Sequence, residues 1–335
     1  MKNIYSLLKI NRFIKNVRIK NLGIYLLHLT GKRYFGIFID PILACNLRCR
    51  MCYFSDDEKR KSFPHGAISL EDMQRIADAF FHRALKLQIG CGAEPSLYAH
   101  NKEIIRLGKE KKVPYISYTT NANRLQEEAW RELVSAGLDE VTLSLHGITR
   151  ESYEYFMTNA SFDAFCHSLQ ALTELKKEYP NFQIRINYTV NQDNLQELTS
   201  FFDVFGDYAI DVLQIRPIQP MGQTAYDNFS WTSIIEKYDD SIEKLRKDCL
   251  QRKITCIAPM KKDLINIQNS DSLLVESTYY YISPRTCWEA DFDLKTDTYE
   301  SYAKRTHLSK KLWHAIFQNN KQKTNSKKNL NYEIQ

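Results

Sequence analysis

The sequence has no apolar run approaching the roughly 20 residues that a helix needs to cross a bilayer. It has no acidic residue before Asp40, no cysteine after Cys287 and no dense Cys-x2-Cys array in its second half. Each absence excludes something. The first argues against a membrane-spanning chain. Residues 22–29 (LGIYLLHL) are apolar, but they lie too far along the chain for a secretory signal and lack a small-residue cleavage site. The expected compartment is therefore the cytoplasm. The missing acids leave a basic N-terminus, with Lys2, Lys9, Arg12, Lys15, Arg18, Lys20, Lys32 and Arg33 interleaved with Ile4, Leu7, Leu8, Ile10, Phe13, Ile14, Val17, Ile19 and Leu22. Such an amphipathic extension either packs on the fold and shows its lysines to water, or lies on an anionic membrane surface as a peripheral contact. The missing cysteine array leaves only Cys249, Cys256 and Cys287 in that half. A four-ligand metal site there needs a further ligand such as Cys91, Cys166 or a histidine, so buried structural thiols are the expected reading.

What is present is a chain of 335 residues, 43% hydrophobic and 26% charged, with a net charge of +6. That is long enough for one large α/β domain with extensions, or for two domains. Three of its 8 cysteines crowd into one stretch, Asp40-Pro41-Ile42-Leu43-Ala44-Cys45-Asn46-Leu47-Arg48-Cys49-Arg50-Met51-Cys52-Tyr53. Thiolates are soft ligands suited to zinc or iron–sulfur clusters. Three this close can hold one corner of a cluster and leave one iron open, whereas a structural metal site is closed. Oxygen would damage an open cluster, so a reducing compartment fits.

A βα rhythm runs from this stretch. Strands are expected at Tyr34–Asp40, Ala84–Ile89, Val113–Thr119, Glu140–Leu145, Phe182–Val190 and Val212–Pro217. The intervening helices include one capped by Ser69 with Asp72, one closed by Gly137, one capped by Ser161, and one capped by Asn194 with Glu197. Strands alternating with amphipathic helices imply a parallel sheet. The fold class is α/β, a partial (β/α)6 TIM-like barrel of parallel strands with a basic N-terminal extension and a C-terminal α/β cap. The expected division is 1–33 extension, 34–222 barrel, 223–317 cap and 318–335 disordered tail. A short strand near Ile254–Ile257, another over Leu273–Ile282 and a last helix around Lys310–Phe317 follow the barrel. Every unusual loop sits at the C-terminal end of a strand, where βα barrels place their chemistry.

The Cys-x3-Cys-x2-Cys spacing after a first strand resembles the cluster loop of the radical S-adenosylmethionine (radical SAM) superfamily. Gly92-Ala93-Glu94-Pro95, after the second strand, resembles its Gly-Gly-Glu-Pro loop, with Ala93 in place of the second glycine. Ser144-Leu145-His146-Gly147 resembles its strand-four ending, with His146 where many relatives carry aspartate. Met51 stands where an aromatic residue usually precedes the last cysteine. The likeness to relatives with SPASM or twitch extensions covers Tyr34–Gly222 and weakens after it.

The resemblance implies a [4Fe-4S] cluster on Cys45, Cys49 and Cys52, with S-adenosylmethionine (SAM) on the fourth iron. It implies that Gly92, Ala93, Glu94 and Pro95 hold the methionine ammonium, that Ser144 meets the ribose or carboxylate, and that Tyr53 lies beside the adenine. Asn121, Asn187 and Arg216 are expected as a polar rim around cofactor or substrate. The implied reaction is cleavage of SAM to a 5′-deoxyadenosyl radical, which takes hydrogen from a peptide, sugar or lipid-linked small molecule. It also implies an external electron donor of flavodoxin or ferredoxin type. Tyr279, Tyr280, Tyr281 and Trp288 are candidates to cover the barrel mouth, though core packing explains them equally well. A lone histidine such as His146 reads as structural. Nothing in the chain reads nucleic acid specifically. The alternative is a non-catalytic iron–sulfur or zinc protein, an electron carrier or scaffold, and SAM binding discriminates the two.

Overall fold

A computed structural model of the chain describes residues 14, 16–63, 66–218, 224–226, 234–259, 277–289 and 291–317. The basic residues Lys2, Lys9, Arg12 and Lys15, the loop 219–222, residues 273–276 of the late strand and the tail 318–335 lie outside the described residues.

In chain order the elements are α1 (Val17–Leu29), β1 (Phe35–Ile39), β2 (Arg48–Cys49), α2 (Asp57–Lys61), α3 (Leu70–Phe80), β3 (Ala84–Ile89), α4 (Asn101–Glu110), β4 (Tyr115–Thr120), α5 (Glu127–Ser135), β5 (Glu140–Leu145) and α6 (Arg150–Phe156). There follow β6 (Met157–Thr158), α7 (Phe162–Glu178), β7 (Gln183–Val190), α8 (Phe201–Phe205), β8 (Val212–Pro217), α9 (Ile235–Gln251), β9 (Thr255–Ile257), β10 (Tyr279–Ser283), β11 (Thr286–Cys287), α10 (Tyr299–Arg305) and α11 (Leu308–Phe317).

Nine strands form one sheet in the order β11-β10-β1-β3-β4-β5-β7-β8-β9. All neighbours are parallel except the β10–β11 pair. The six expected barrel strands are therefore present in sequence order, as a partial barrel. The two short C-terminal strands extend it on both sides, β9 beside β8 and β10 beside β1.

Alternation explains the layering. On β7, Ile184, Ile186, Tyr188 and Val190 are buried while Gln183, Arg185, Asn187 and Thr189 are only partly so. The buried set joins Ile37, Leu87, Ile116, Val141 and Leu213 of neighbouring strands, and Met73, Ile76, Ile104, Leu133, Leu169 and Leu245 of the helices, in one core. The opposite, lumen-facing set is polar on β5 and β7, and is joined by the aromatic residues Phe38, Tyr279 and Tyr281 toward β1 and β10.

Helix ends follow local chemistry. Ser69 accepts from the Asp72 amide at 3.0 Å and Ser161 from the Ala164 amide at 3.2 Å, and Gly137 closes α5 at φ +108°. The Asn194–Glu197 cap is not formed. Asn194 Nδ2 instead donates to the carbonyls of His146 and Thr189, at 2.8 and 2.9 Å. Glu197 accepts from the Ile148 amide at 2.8 Å. With both side chains drawn to the ends of β5 and β7, Leu195–Ser200 is a 3-10 turn and α8 is short.

The late aromatics are core and sheet. Trp288 is sandwiched between Tyr280 and Phe80, with ring centroids 3.7 and 3.8 Å away and nearly parallel planes. Tyr279 stacks on Phe38. Core packing accounts for Tyr280 and Trp288, while Tyr279 and Tyr281 alternate to the opposite, lumen-facing side of β10.

Candidate active site

The cysteine loop leaves the end of β1 and is fixed at several points. Its middle forms β2, which pairs antiparallel with β6 so that Cys49 faces Met157. Arg48 Nη1 donates to the carbonyls of Cys45 and Leu47 at 2.9 and 2.7 Å. The Leu47 amide reaches Cys45 Sγ at 3.4 Å. After Cys52 the chain makes a 3-10 turn, Tyr53–Ser55, in which the Ser55 amide and hydroxyl both bond the Cys52 carbonyl.

Burial pushes the Cys45 thiol up to about 12, offset in part by the Leu47 amide. It pushes Cys49 well above the usual thiol range, and Cys52 upward as well. Cys45 and Cys52 also raise Cys49, and Cys52 raises Cys45. Yet among the described residues no three His, Cys, Asp or Glu gather tightly enough to hold one ion. The soft donor set fits a [4Fe-4S] cluster with one iron left to another ligand.

Asp40, fully buried, organises the second loop. Its carboxylate accepts from the amides of Cys91 at 2.8 Å, Gly92 at 2.9 Å and Ala93 at 3.3 Å, and from the Tyr281 hydroxyl of β10 at 2.7 Å. Burial raises its pKa, and these four donors work against the rise. The Tyr53 hydroxyl donates to the Gly92 carbonyl and clips the cysteine loop to this turn. A Cβ at Gly92 would stand 2.7 Å from that hydroxyl, so a side chain there would displace Tyr53 from the clip. Ala93 is accommodated because its backbone is not left-handed; only Gly90, at φ +78°, needs glycine for that reason here.

Glu94, also buried, is held from both sides. Its amide donates to the Ala44 carbonyl at 2.9 Å. Its carboxylate accepts from the Ser96 amide at 3.0 Å, the Thr120 hydroxyl at 2.7 Å and the Asn121 amide at 2.8 Å. Pro95 opens the short 3-10 turn that follows. Asn121, just past β4, points Nδ2 at Asn46 Oδ1 (2.9 Å) and lies 3.9 Å from Cys45 Sγ. The loops after β1, β3 and β4 are thus one hydrogen-bonded unit containing Cys45, Tyr53, Gly92, Ala93, Glu94, Pro95 and Asn121.

Ser144, Asn187 and Arg216 belong to the lumen wall instead. Ser144 lies beside Asn187 on β5 and β7, and Arg216 beside Thr189 at the end of β8. Below them is a charged layer that sequence reasoning missed. Arg185 pairs with Glu140 at 3.7 Å and bonds Gln214. Lys86 donates to Gln88 at 3.0 Å, and burial brings its pKa down to about 8. Strand alternation is the signal that could have found these residues. Burial lowers His146 to about 4, and its Nδ1 contacts Met51 Sδ of the cysteine loop at 3.0 Å.

The thiols past the barrel separate. Cys249 on α9 bonds Cys256 on β9. Cys287 lies on β11, the other edge strand of the sheet.

A three-cysteine loop at the mouth of a partial βα barrel defines a barrel protein built around an open metal cluster. Residues 39–201 match the radical SAM superfamily, whose cofactors are a [4Fe-4S] cluster and SAM. The probable GTP 3′,8-cyclase of Saccharolobus islandicus is 26% identical over 204 residues, 59% of this chain and 62% of the relative. That of Metallosphaera sedula is 29% identical over 205 residues, 60% of this chain and 61% of the relative. The chain thus spans under two thirds of these curated relatives. Streptococcus suis SuiB bound to S-adenosylmethionine has the same fold, with a TM-score of 0.57 at 15% identity, over 81% of this chain and 66% of SuiB.

No helix among the described residues is long and apolar enough to cross a membrane.

Proposed function

We propose that this protein is a radical SAM enzyme that binds a [4Fe-4S] cluster through Cys45, Cys49 and Cys52 and abstracts hydrogen from a polar small molecule whose head enters the barrel lumen. The observation that carries this reading is the junction at Asp40. One buried carboxylate holds the amides of Cys91, Gly92 and Ala93, while Tyr53 ties the same turn to the cysteine loop. An electron carrier would have no need to build a second loop against its cluster. A radical enzyme must hold a small molecule there.

When bound and reduced, the cluster supplies the electron that splits the C–S bond of SAM, yielding a 5′-deoxyadenosyl radical. The chain's residues do the rest. The Leu47 amide and Asn121 Nδ2 sit against Cys45 Sγ, and hydrogen bonds to ligand sulfur tune cluster potential. Glu94 Oε2 accepts one bond, from Asn121, and keeps acceptor capacity for an ammonium. Backbone carbonyls of the Gly92 turn add further acceptors. In the lumen, Lys86, Glu140, Arg185 and Gln214 orient polar groups. Ser117 Oγ and Asn187 Oδ1, buried without a partner, offer a hydroxyl and an acceptor. Such a wall suits a hydrogen-bonding substrate better than an apolar one. The electron comes from an external flavodoxin- or ferredoxin-type donor.

The test is anaerobic reconstitution with iron and sulfide, then dithionite and SAM, with 5′-deoxyadenosine as product. Wild type should load about four iron atoms per chain and form product, and Cys49→Ala should do neither. Bound zinc, or a loaded cluster that never cleaves SAM with any candidate substrate, would move the reading to a scaffold or carrier. GTP is the first substrate to offer, because the curated relatives are named for it; its consumption would narrow the substrate class to nucleotides.

A further inference from the structure

Eleven large apolar side chains stand exposed among the described residues, and seven belong to α1 or α11. On α1, Ile19, Leu22, Leu26 and Leu29 recur at three- and four-residue spacing and form one stripe, with Leu26 51% exposed. On α11, Trp313 and Phe317 are a turn apart, 43% and 61% exposed. Tyr25 and Trp313, with ring centroids 5.2 Å apart, join the two helices. The stripe is not exposed for want of packing. The other face of α1 is pinned by Asn21 Nδ2 to the Ala315 carbonyl at 2.8 Å, and by His28 to Tyr299 and Ser309.

Charge decides what covers the patch. Neither helix contains an aspartate or glutamate, while Arg18, Lys20, Lys310 and Lys311 stand among the apolar residues. A second copy would set this face against itself, cation against cation. An anionic lipid surface complements it, with apolar side chains in the acyl boundary, cations at the headgroups and Trp313 at the interface. At 13 residues, α1 reaches only about 20 Å, too short to span. We propose that the joint face of α1 and α11 docks this protein on an anionic bilayer surface.

The location has a consequence for the site. Arg83 Nη2 bonds the His28 carbonyl at 3.0 Å, and Tyr34, just before β1, bonds Tyr299. The patch therefore lies at the N-terminal ends of β1 and β3, opposite the cysteine loop. A docked barrel keeps its mouth turned from the bilayer and open to substrate and electron donor.

Co-sedimentation of the full chain tests this with phosphatidylcholine vesicles, plain or carrying about a third phosphatidylglycerol. Wild type should bind the anionic vesicles and leave the neutral ones. Leu22→Glu with Leu26→Glu should weaken binding by about tenfold or more, and Lys310→Glu with Lys311→Glu should weaken it while sparing the apolar stripe. Melting temperature should hold in both, because the changed side chains face solvent; Trp313→Ser is read in place of any variant that melts early. Equal binding to both vesicle types, or to neither, overturns the proposal. So does binding that survives the stripe variants and vanishes on deletion of residues 1–15. A concentration-dependent dimer that the stripe variants abolish, with no vesicle binding, would assign the face to a second copy.

Discussion

Asp40 carries more of the site than any residue outside the cysteine triplet. Replacing it with alanine strands the Cys91 and Gly92 amides and the Tyr281 hydroxyl in the interior. Each buried unpaired donor costs about 1–3 kcal/mol. Asp40→Ala should therefore lose at least about 3 kcal/mol in urea unfolding, and Tyr281→Phe only about 1 kcal/mol. Equal losses would mean that the amides do not depend on Asp40. Lys86 gives a pH test. Burial holds its folded pKa at about 8, below the usual lysine value of 10.5. Below pH 8 the lysine is charged folded and unfolded, and burying it costs about 3 kcal/mol. Between 8 and 10.5 the unfolded chain holds a proton that the folded chain lacks, so this term makes stability rise with pH, and above 10.5 the cost is gone. Lys86→Met should be more stable than wild type at pH 7, with the difference vanishing toward pH 10.5. A constant difference across that range would show that the lysine is not desolvated. The cysteine spacing and the Gly92-Ala93-Glu94-Pro95 turn were legible from sequence because each is a compact pattern. Asp40 was not, since one aspartate after a strand has no signature; its meaning comes from three amides fifty residues away.

At the scale of elements, the turn after β3 depends on Gly90. It sits at φ +78°, and a Cβ there would overlap the Thr119 carbonyl and crowd the Pro95 ring. Gly90→Ala adds left-handed strain of about 1 kcal/mol or more to that overlap. It should lower the melting temperature and weaken SAM binding together, as calorimetry would measure. A variant that melts early yet binds SAM normally would uncouple this turn from the cofactor loop. The barrel strands were legible for a related reason. Residues 182–190 alternate cleanly, and a two-residue period needs no tertiary information. The helix expected after Asn194 was not, because Asn194 and Glu197 carry a capping pattern that tertiary contacts at His146 and Ile148 outcompete. The β2–β6 ribbon was invisible, since two-residue strands have no period to read, yet it sets the position of Cys49.

For the whole molecule, the C-terminal region completes the sheet. β10 runs parallel beside β1 along Gly36–Ile39, and Tyr281 from that strand reaches Asp40. Trp288 fills the space between Phe80 and Tyr280, and Tyr299 bonds Tyr34. Apart from neighbouring Tyr280 and Trp288, these partners lie more than two hundred residues apart in the chain, which is why sequence period alone could mark strands near 255 and 280 but not where they pair. The arrangement makes residues 277–317 part of the barrel's stability. A chain ending at Pro259 would leave one side of β1 unpaired, uncover Phe35 and Phe80, and free the Tyr281 position on Asp40. An unpaired edge and an exposed apolar face favour aggregation. The truncated chain should lose its cooperative thermal transition by circular dichroism and bind the hydrophobic dye ANS, as loosely packed compact states do. A soluble fragment with a sharp transition and normal iron loading would show that β1 to β9 fold and assemble the cluster site by themselves.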